Sequence, residues 1–301
     1  NEYRNFVTPH EGTDILFGEL TGYPCCTSNM HQGWPKFTQT LWHSTHDGGL
    51  AALVYAPCEV TAKVERGKTV VVEENTSYPF DEIINFTIKF QNKYDKGILF
   101  PLHFRVPGWC NNPIVKINDQ TIPISQKGGE IIKISRFWKN NDKISIEFPM
   151  EVFISHWYDN GAVVERGPLI YALKMSENWQ KKGITKKEEK KYGNWYYEVT
   201  STTPWNYALP YKNFQPENIK KTFLVGKKDR IADFPWNIEN APITIKTKAL
   251  QVPRWEIYNG SVGPICYFSQ QGDDTEREEE IELIPYGCTT LRIAIFPVRN
   301  K

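Results

Sequence analysis

The sequence predicts a mainly β protein: two antiparallel β-sandwich domains preceded by a helix. Three observations carry that expectation. Beyond about Gly48 the chain is almost wholly short apolar or period-two segments rich in Val, Ile, Phe and Thr. Turn-forming residues separate them at close spacing, which is the pattern of a sandwich or barrel. The first 47 or so residues differ, and a 3.6-residue apolar period there marks a single helix.

In chain order, the helical signal lies in SNMHQGWPKFTQTLWHST, where Met30, Trp34, Phe37 and Leu41 fall on one face. Proline is best tolerated in a first helical turn, so Pro35 places the expected start near Gly33 or Trp34, with Asn29 to Gln32 as a lead-in turn. A first set of strands follows: GLAALVYA, EVTAKVE, KTVVVEE, EIINFTIKF, ILFPLHFRV, IVKIN, EIIKIS and KISIEF. Turns at Glu65–Arg66–Gly67, Asn92–Lys93, Gly108 and Lys127–Gly128–Gly129 punctuate it. A second set comprises EVFISHWY, AVVERGPLIYALK, WYYEVTS, APITIKTKAL, GPICYF, EIELIPYG and TTLRIAIFP. The charged runs QKKGITKKEEKKYG (Gln180 to Gly193) and DDTEREEE (Asp273 to Glu280) read as solvated loops. Residues 1–47 are therefore read as the end of a helical domain, 48–150 as the first sandwich and 151–301 as the second. A lone helix and an arm cannot bury themselves, so the chain is expected to continue a longer protein.

Thirty-six basic against 35 acidic residues give a formal net charge of +1, which excludes a general nucleic-acid binder. No apolar run reaches the length of a membrane span. The chain opens NEYRNFVTPHEG, without a signal-peptide pattern, and a periplasmic or secreted location is favoured over a cytoplasmic one. Six cysteines in 301 residues are too few for a disulfide framework. Cys58, Cys110, Cys266 and Cys288 stand singly among strands and read as small buried hydrophobes.

Cys25 and Cys26 in GYPCCTSNMHQGWPKF are different, being adjacent and beside a turn. Neighbouring cysteines bridge each other only with a distorted peptide. Three readings stay open on the residues alone: two structural thiols, a metal site, or a reactive thiol with a neighbour. Zinc takes thiolate, imidazole or carboxylate in a tetrahedron, and two cysteines supply at most half of it. His10, Glu11, Asp14, Glu19 and His31 are near in sequence, but none stands at a recognised metal spacing.

GYPCCTSNMHQGWPKF, LAALVYAPCEVTAKV, VVERGPLIYALK and IELIPYGCTTLRIAIFP, in this order, resemble glycoside hydrolase family 127, the β-L-arabinofuranosidase family. The resemblance implies the C-terminal part of such an enzyme: the last helix of a truncated (α/α)6 barrel, then two sandwiches. It implies a retaining hydrolase of plant-type oligosaccharide or polysaccharide, with Cys25 as nucleophile and zinc ligand and Cys26 as a second ligand. Zinc ligation would keep the sulfur ionised while tempering its basicity. The family's other two zinc ligands, a glutamate and a cysteine two residues apart, and its acid/base glutamate all precede the double cysteine. This sequence has 24 residues before Cys25 and no Glu-x-Cys among them, so the resemblance implies a piece inactive alone with zinc incomplete or absent. A homodimer through the sandwiches is a further implication.

His31 and Trp34 are the candidate substrate contacts beside the cysteines, although Trp34 and Phe37 at helical spacing favour a core role. Trp42 could line a sugar subsite. Arg166 and Tyr171 read as structural, and Tyr286 has no chemistry that its neighbours explain. Trp109, Trp157, Trp195 and Trp205 on the sandwiches could form a carbohydrate-binding surface, though single aromatics on sheets usually belong to the core. Two other functions compete: a non-catalytic β-sandwich module for carbohydrate binding or assembly, and a redox-active vicinal dithiol.

Overall fold

The structure is a computed structural model that describes residues 2–3, 15–18, 24–92, 94, 96–157, 159, 161–187, 189–258, 261–265 and 277–299. Of the expected strand GPICYF, residues 263–265 are not in a strand and residues 266–268 lie outside the described ones. The fold is mainly β. Two compact units are formed, one from residues 31–151 and one from residues 1–30 with 152–301.

The chain opens with β1 (Glu2–Tyr3) and β2 (Ile15–Gly18), then α1 (Pro24–Gln39). The 31–151 unit continues through β3 (Trp42–Ser44), β4 (Leu50–Ala52), β5 (Cys58–Val64), β6 (Lys68–Thr76), β7 (Ile83–Phe90) and β8 (Ile98–Arg105). It is completed by β9 (Ile114–Ile117), β10 (Gln120–Ile122), β11 (Ile131–Trp138) and β12 (Lys143–Glu147). Six strands make one sheet in the order β10-β9-β12-β7-β6-β5, and four make a second in the order β11-β8-β4-β3. All pairs are antiparallel except β4 with β8.

Period two explains why this is a sandwich. On β7, Ile84, Phe86 and Ile88 are fully buried while Ile83 is exposed; on β8, Ile98, Phe100, Leu102 and Phe104 are buried while Leu99 is exposed. The two inner faces share one core, with Phe86 and Phe104 centred 5.0 Å apart across it. Trp138 closes one end, fully buried, its indole N–H donating to the Phe100 carbonyl at 2.9 Å. The run GLAALVYA is shorter as a strand than expected, only Leu50–Ala52. At Gly49 the backbone passes so close to the Pro101 carbonyl that a β-carbon would sit 2.1 Å from its oxygen.

One inward position of β6 is not apolar. Val70 and Val72 are fully buried, and Glu74, next in the same register, is 3% exposed. Its carboxylate accepts from Trp42 Nε1 at 2.9 Å, from the Ala56 backbone N–H at 3.0 Å and from Cys58 Sγ at 3.6 Å. Burial pushes its pKa up to about 7, against the lowering effect of these donors. The same burial and the neighbouring carboxylate raise the Cys58 thiol to about 11.

The second unit contains β13 (Val152–His156), β14 (Ala162–Arg166), β15 (Leu169–Leu173), β16 (Asn178–Gly183), α2 (Glu189–Tyr192), β17 (Trp195–Thr200) and β18 (Tyr207–Pro210). Then come α3 (Pro216–Thr222), β19 (Leu224–Lys227), β20 (Ile243–Gln251), β21 (Ile257–Tyr258), β22 (Ser261–Val262), β23 (Arg277–Pro285) and β24 (Val298–Arg299). Its large sheet runs β13-β14-β15-β23-β20-β18-β24, with β19 also on β20. A four-stranded sheet runs β1-β2-β17-β16, so β2 pairs with a strand some 180 residues later in the chain. Arg166 and Tyr171 lie buried in the β14–β15 hairpin, in the structural role expected.

Three sequence expectations are corrected here. Gln180–Gly183 is not loop but the second half of β16, paired residue for residue with β17. Arg277–Glu280 of the acidic run likewise belongs to β23, where Glu278 and Glu280 meet Lys248 and Lys246 at 3.0 and 3.4 Å. Glu282 faces outward between buried Ile281 and Leu283, while Glu279, between the two paired glutamates, accepts from the Tyr207 hydroxyl at 2.7 Å. Conversely, TTLRIAIFP is not a regular strand. Only Phe296 bridges to Ala162 before β24 begins.

The IPYGC run, opaque in sequence, has a packing explanation. Gly287 lies beneath the Trp236 ring, where a β-carbon would stand 2.8 Å from Cε3. Cys288, buried beside Ala241 and Ile284, donates its thiol to the Pro235 carbonyl at 3.3 Å. Tyr286 carries the Arg292 guanidinium over its ring at 4.7 Å. Cys110 and Cys288 are buried free thiols, as expected; Cys58 is half-buried and Cys266 lies outside the described residues.

Two outcomes follow from this packing. Glu74 holds a proton in the folded state, up to about pH 7, that the unfolded chain releases near its ordinary 4.5. Its contribution to stability is therefore greatest at low pH and is lost as pH rises. Thermal melts of wild type and Glu74→Gln between pH 5 and 7 should show the wild-type advantage shrinking, by at most about 1.4 kcal/mol per pH unit. A pH-independent difference would contradict the raised pKa. For the second, Gly287→Ala should cost about 1–3 kcal/mol by overpacking, and Trp236→Leu in the same chain should recover part of it. A double-mutant cycle without coupling would refute the contact.

Candidate functional site

The double cysteine lies inside α1, not ahead of it. Pro24 is the first helical residue, so Cys25 and Cys26 are the second and third, and Pro35 is accommodated within the helix. This corrects the expected start near Gly33 or Trp34. Both prolines suit a first turn, and Pro24 takes the position where a missing N–H costs nothing; Pro35 forfeits one hydrogen bond without ending the helix. The cysteines thus occupy the first turn, whose backbone N–H groups have no partners within the helix and favour an anion. Their side chains lie outside the described residues.

Helical geometry sorts the neighbours of the pair. At about 100° per residue, positions 25, 29, 32 and 36 fall on one stripe: Cys25, Asn29, Gln32 and Lys36. Positions 26, 30, 33 and 37 form the next, with Cys26, Met30, Gly33 and Phe37. Position 34 lies on the opposite side from position 25 and about 13.5 Å further along the axis, and position 31 is on neither stripe. His31 and Trp34 are therefore not brought to Cys25 by the helix.

Residues 29–40 are all exposed, among them Trp34 at 63%, Met30 at 55% and Phe37 at 45%. The core role favoured for Trp34 and Phe37 is thus corrected. They meet only edge to face, at 6.2 Å, on a helix side that the described residues leave uncovered. The helix ends cleanly: the Thr40 hydroxyl donates to the Phe37 carbonyl at 3.0 Å and the His43 ring nitrogen lies 3.1 Å from the Thr40 carbonyl. Leu41 and Trp42 then turn into the sandwich core. Trp42 is therefore a core residue and not a sugar subsite.

The other aromatics divide. Trp109 packs edge-on against Phe148, and Trp205 meets Trp255 at 5.0 Å. Trp157 is 56% exposed, with its indole N–H donating to Ser155 Oγ at 2.9 Å. Trp195 lies on β17 beside Tyr197.

Two polar groupings escaped the sequence reading. One is Glu74, whose signal was present as an acidic residue at the inward register of KTVVVEE. The other joins Asp47, His103, Lys133 and Thr45 on the β11-β8-β4-β3 side. Asp47 lies 2.8 Å from Lys133 Nζ and 3.2 Å from His103 Nε2, and accepts from Thr45 Oγ1 at 2.5 Å. These partners, Lys133 first, hold the Asp47 carboxyl well below the usual range. Nothing in the sequence brings these four together, because Thr45 and Lys133 are 88 residues apart. Thr45 also accepts from the Gly49 N–H at 3.0 Å, so the cluster fastens the β3–β4 turn.

Among the described residues no group of three or more His, Cys, Asp or Glu is placed to hold a metal ion. The vicinal thiols suit zinc in donor chemistry, and in number they are half of a tetrahedral shell. Also among the described residues, no helix is long and apolar enough to cross a membrane.

Comparison with known proteins gives three further findings. Residues 49–150 match the family model for the β-L-arabinofuranosidase GH127 middle domain. No curated protein matches the chain. Among solved structures, a GH127 β-L-arabinofuranosidase from Geobacillus stearothermophilus T6 aligns over 91% of this chain and 37% of its own, with TM-score 0.61 and 19% identity. A glycoside hydrolase aligns over 92% of this chain and 40% of its own, with TM-score 0.60 and 18% identity. A GH127 β-arabinofuranosidase aligns over 91% and 38%, with TM-score 0.59 and 18% identity. The chain thus spans 37–40% of the length of the structures whose fold it shares. Residues 49–150 thus match the glycoside hydrolase family 127 middle domain, in a chain that shares the fold of family 127 structures.

Proposed function

We propose that this chain is part of a retaining glycoside hydrolase acting on β-L-arabinofuranosyl linkages in plant-type glycans, with Cys25 as nucleophile. The observation that carries the reading is the vicinal cysteine pair in the first turn of α1, ahead of a family 127 middle domain. A thiol there is favoured as its anion by the unpaired N–H groups of the turn. Cys25 and Cys26 would hold a zinc ion together with ligands from elsewhere in the protein. When bound, the metal supplies a charge that keeps the sulfur deprotonated at neutral pH.

The reaction then divides as a retaining mechanism requires. The Cys25 sulfur forms a bond to the anomeric carbon as the glycosidic C–O bond breaks, and the leaving oxygen takes a proton from an acid outside this chain. Water afterwards displaces the sulfur, giving a proton to the group that donated one in the first step, and the sulfur leaves as thiolate with the anomeric configuration retained. The stripe of Asn29, Gln32 and Lys36 beyond Cys25 offers polar contacts to the sugar undergoing attack. His31 and Trp34 lie off that stripe, so contacts they make belong to sugar units away from the cleaved bond. The chain by itself would be inactive.

The test uses the intact protein with an aryl β-L-arabinofuranoside. Cys25→Ala should lower kcat/KM by at least about 10³-fold. Cys26→Ala should lower both turnover and bound zinc, measured by elemental analysis. Normal turnover in Cys25→Ser would defeat the nucleophile assignment.

A further inference from the structure

The hairpin β16–β17 carries a row of aromatic rings interleaved with lysines. By register, Trp179 stands opposite Val199, Lys181 opposite Tyr197 and Gly183 opposite Trp195, so these side chains share one face. The rings pack in sequence: Trp179 on Tyr197 at 5.7 Å and Tyr197 on Trp195 at 5.4 Å, each edge to face. Because Gly183 has no side chain, the Trp195 ring is approached diagonally by Lys181, whose ammonium sits 4.4 Å from its centroid. Trp179 is 43% exposed, at the outer strand of the sheet order β1-β2-β17-β16.

Lysine on an edge strand commonly guards against strand addition, which would account for the charge. It does not account for a large exposed tryptophan beside that charge, which raises the association risk that lysine lowers. Over residues 178–200 six lysines stand against three glutamates, in a chain whose net charge is +1. Rings plus cations suit a polymer that offers C–H faces and spaced negative charges. One carboxylate lies beside the rings: Glu177 accepts from Trp179 Nε1 at 3.1 Å and from the Thr290 backbone N–H at 2.6 Å, while Glu198 and Tyr196 lie on the opposite face.

We propose that this face binds an acidic polysaccharide, a uronate-bearing chain, with a sugar ring against Trp179 and a carboxylate at Lys181. The two positions are next but one on a strand, about 6.6 Å apart, so adjoining sugars can engage both. The choice of a glycan rests on the hydrolase reading above. The binding itself does not use the cysteines.

The test is affinity electrophoresis of this chain in gels containing polygalacturonate, neutral arabinan or no polymer, with a single-stranded DNA mobility assay in parallel. Retardation by polygalacturonate alone is expected, weakening several-fold between about 50 and 300 mM salt. Trp179→Ala and Lys181→Gln should each reduce affinity by about fivefold or more while leaving the melting temperature unchanged, and Cys25→Ala should bind as wild type. No retardation by polygalacturonate, equal retardation by arabinan, tighter binding of DNA, or full binding by both hairpin variants would each overturn the proposal. Since nothing is turned over, failure here leaves the nucleophile assignment standing, and loss of that assignment leaves this result readable.

Discussion

The hydrogen bond from Trp42 to Glu74 is the constraint that ties the two sheets of the 31–151 unit together where β3 begins. Trp42 begins the first strand after the helix, and its indole edge lies against Phe86 at 5.8 Å while its N–H reaches a carboxylate inside the core. A buried carboxylate is expensive unless it is neutral or well supplied with donors. Here it has an indole N–H, a backbone N–H and a thiol, and burial still lifts its pKa to about 7. The polar knot joins β3, the Ala56–Cys58 segment and β6, which stand in different sheets. A purely apolar contact could slide; three directed donors on one group cannot do so without leaving one of them unsatisfied. Trp42, and with it the start of β3, is thereby fixed in the sandwich core.

The rest of the 31–151 unit follows from its two inner faces. Their residues alternate strictly enough that Ile83 and Ile84, neighbours in sequence, are exposed and buried respectively. The surface of the same unit uses charge differently from its interior. Asp47 is held ionised by Lys133 and His103, while Glu74 is held towards neutrality by burial. Both carboxylates tie strands together, but they respond to pH in opposite senses.

The second unit shows how a polar run can be structural and still present chemistry. Lys246 and Lys248 alternate with buried Ile245 and Thr247 on β20, and their partners Glu280 and Glu278 alternate likewise on β23. The strand register places these pairs diagonally, since Lys246 stands directly opposite Glu282. On β16–β17 the same alternation brings aromatic rings and lysines to one face. A run that reads as solvated in one dimension becomes, once folded, half of a hairpin with a composition of its own.

How much of this was legible in the sequence depends on how local the cause was. Period-two patterning identified the β class and most strands, because side-chain alternation is a property of the strand itself. Helical spacing identifies α1 but, from Pro35, places its start near Gly33 or Trp34 instead of at Pro24, since a proline inside a helix is costly and not forbidden. The buried cysteines were recoverable because solitary thiols in apolar strands have few alternatives. Tertiary structure alone decided the pairing of β2 with β17, the gathering of Asp47 with His103 and Lys133, and the ring of Trp236 over Gly287. Each of these joins residues whose separation along the chain is large, and no local preference of either partner encodes where the other will be.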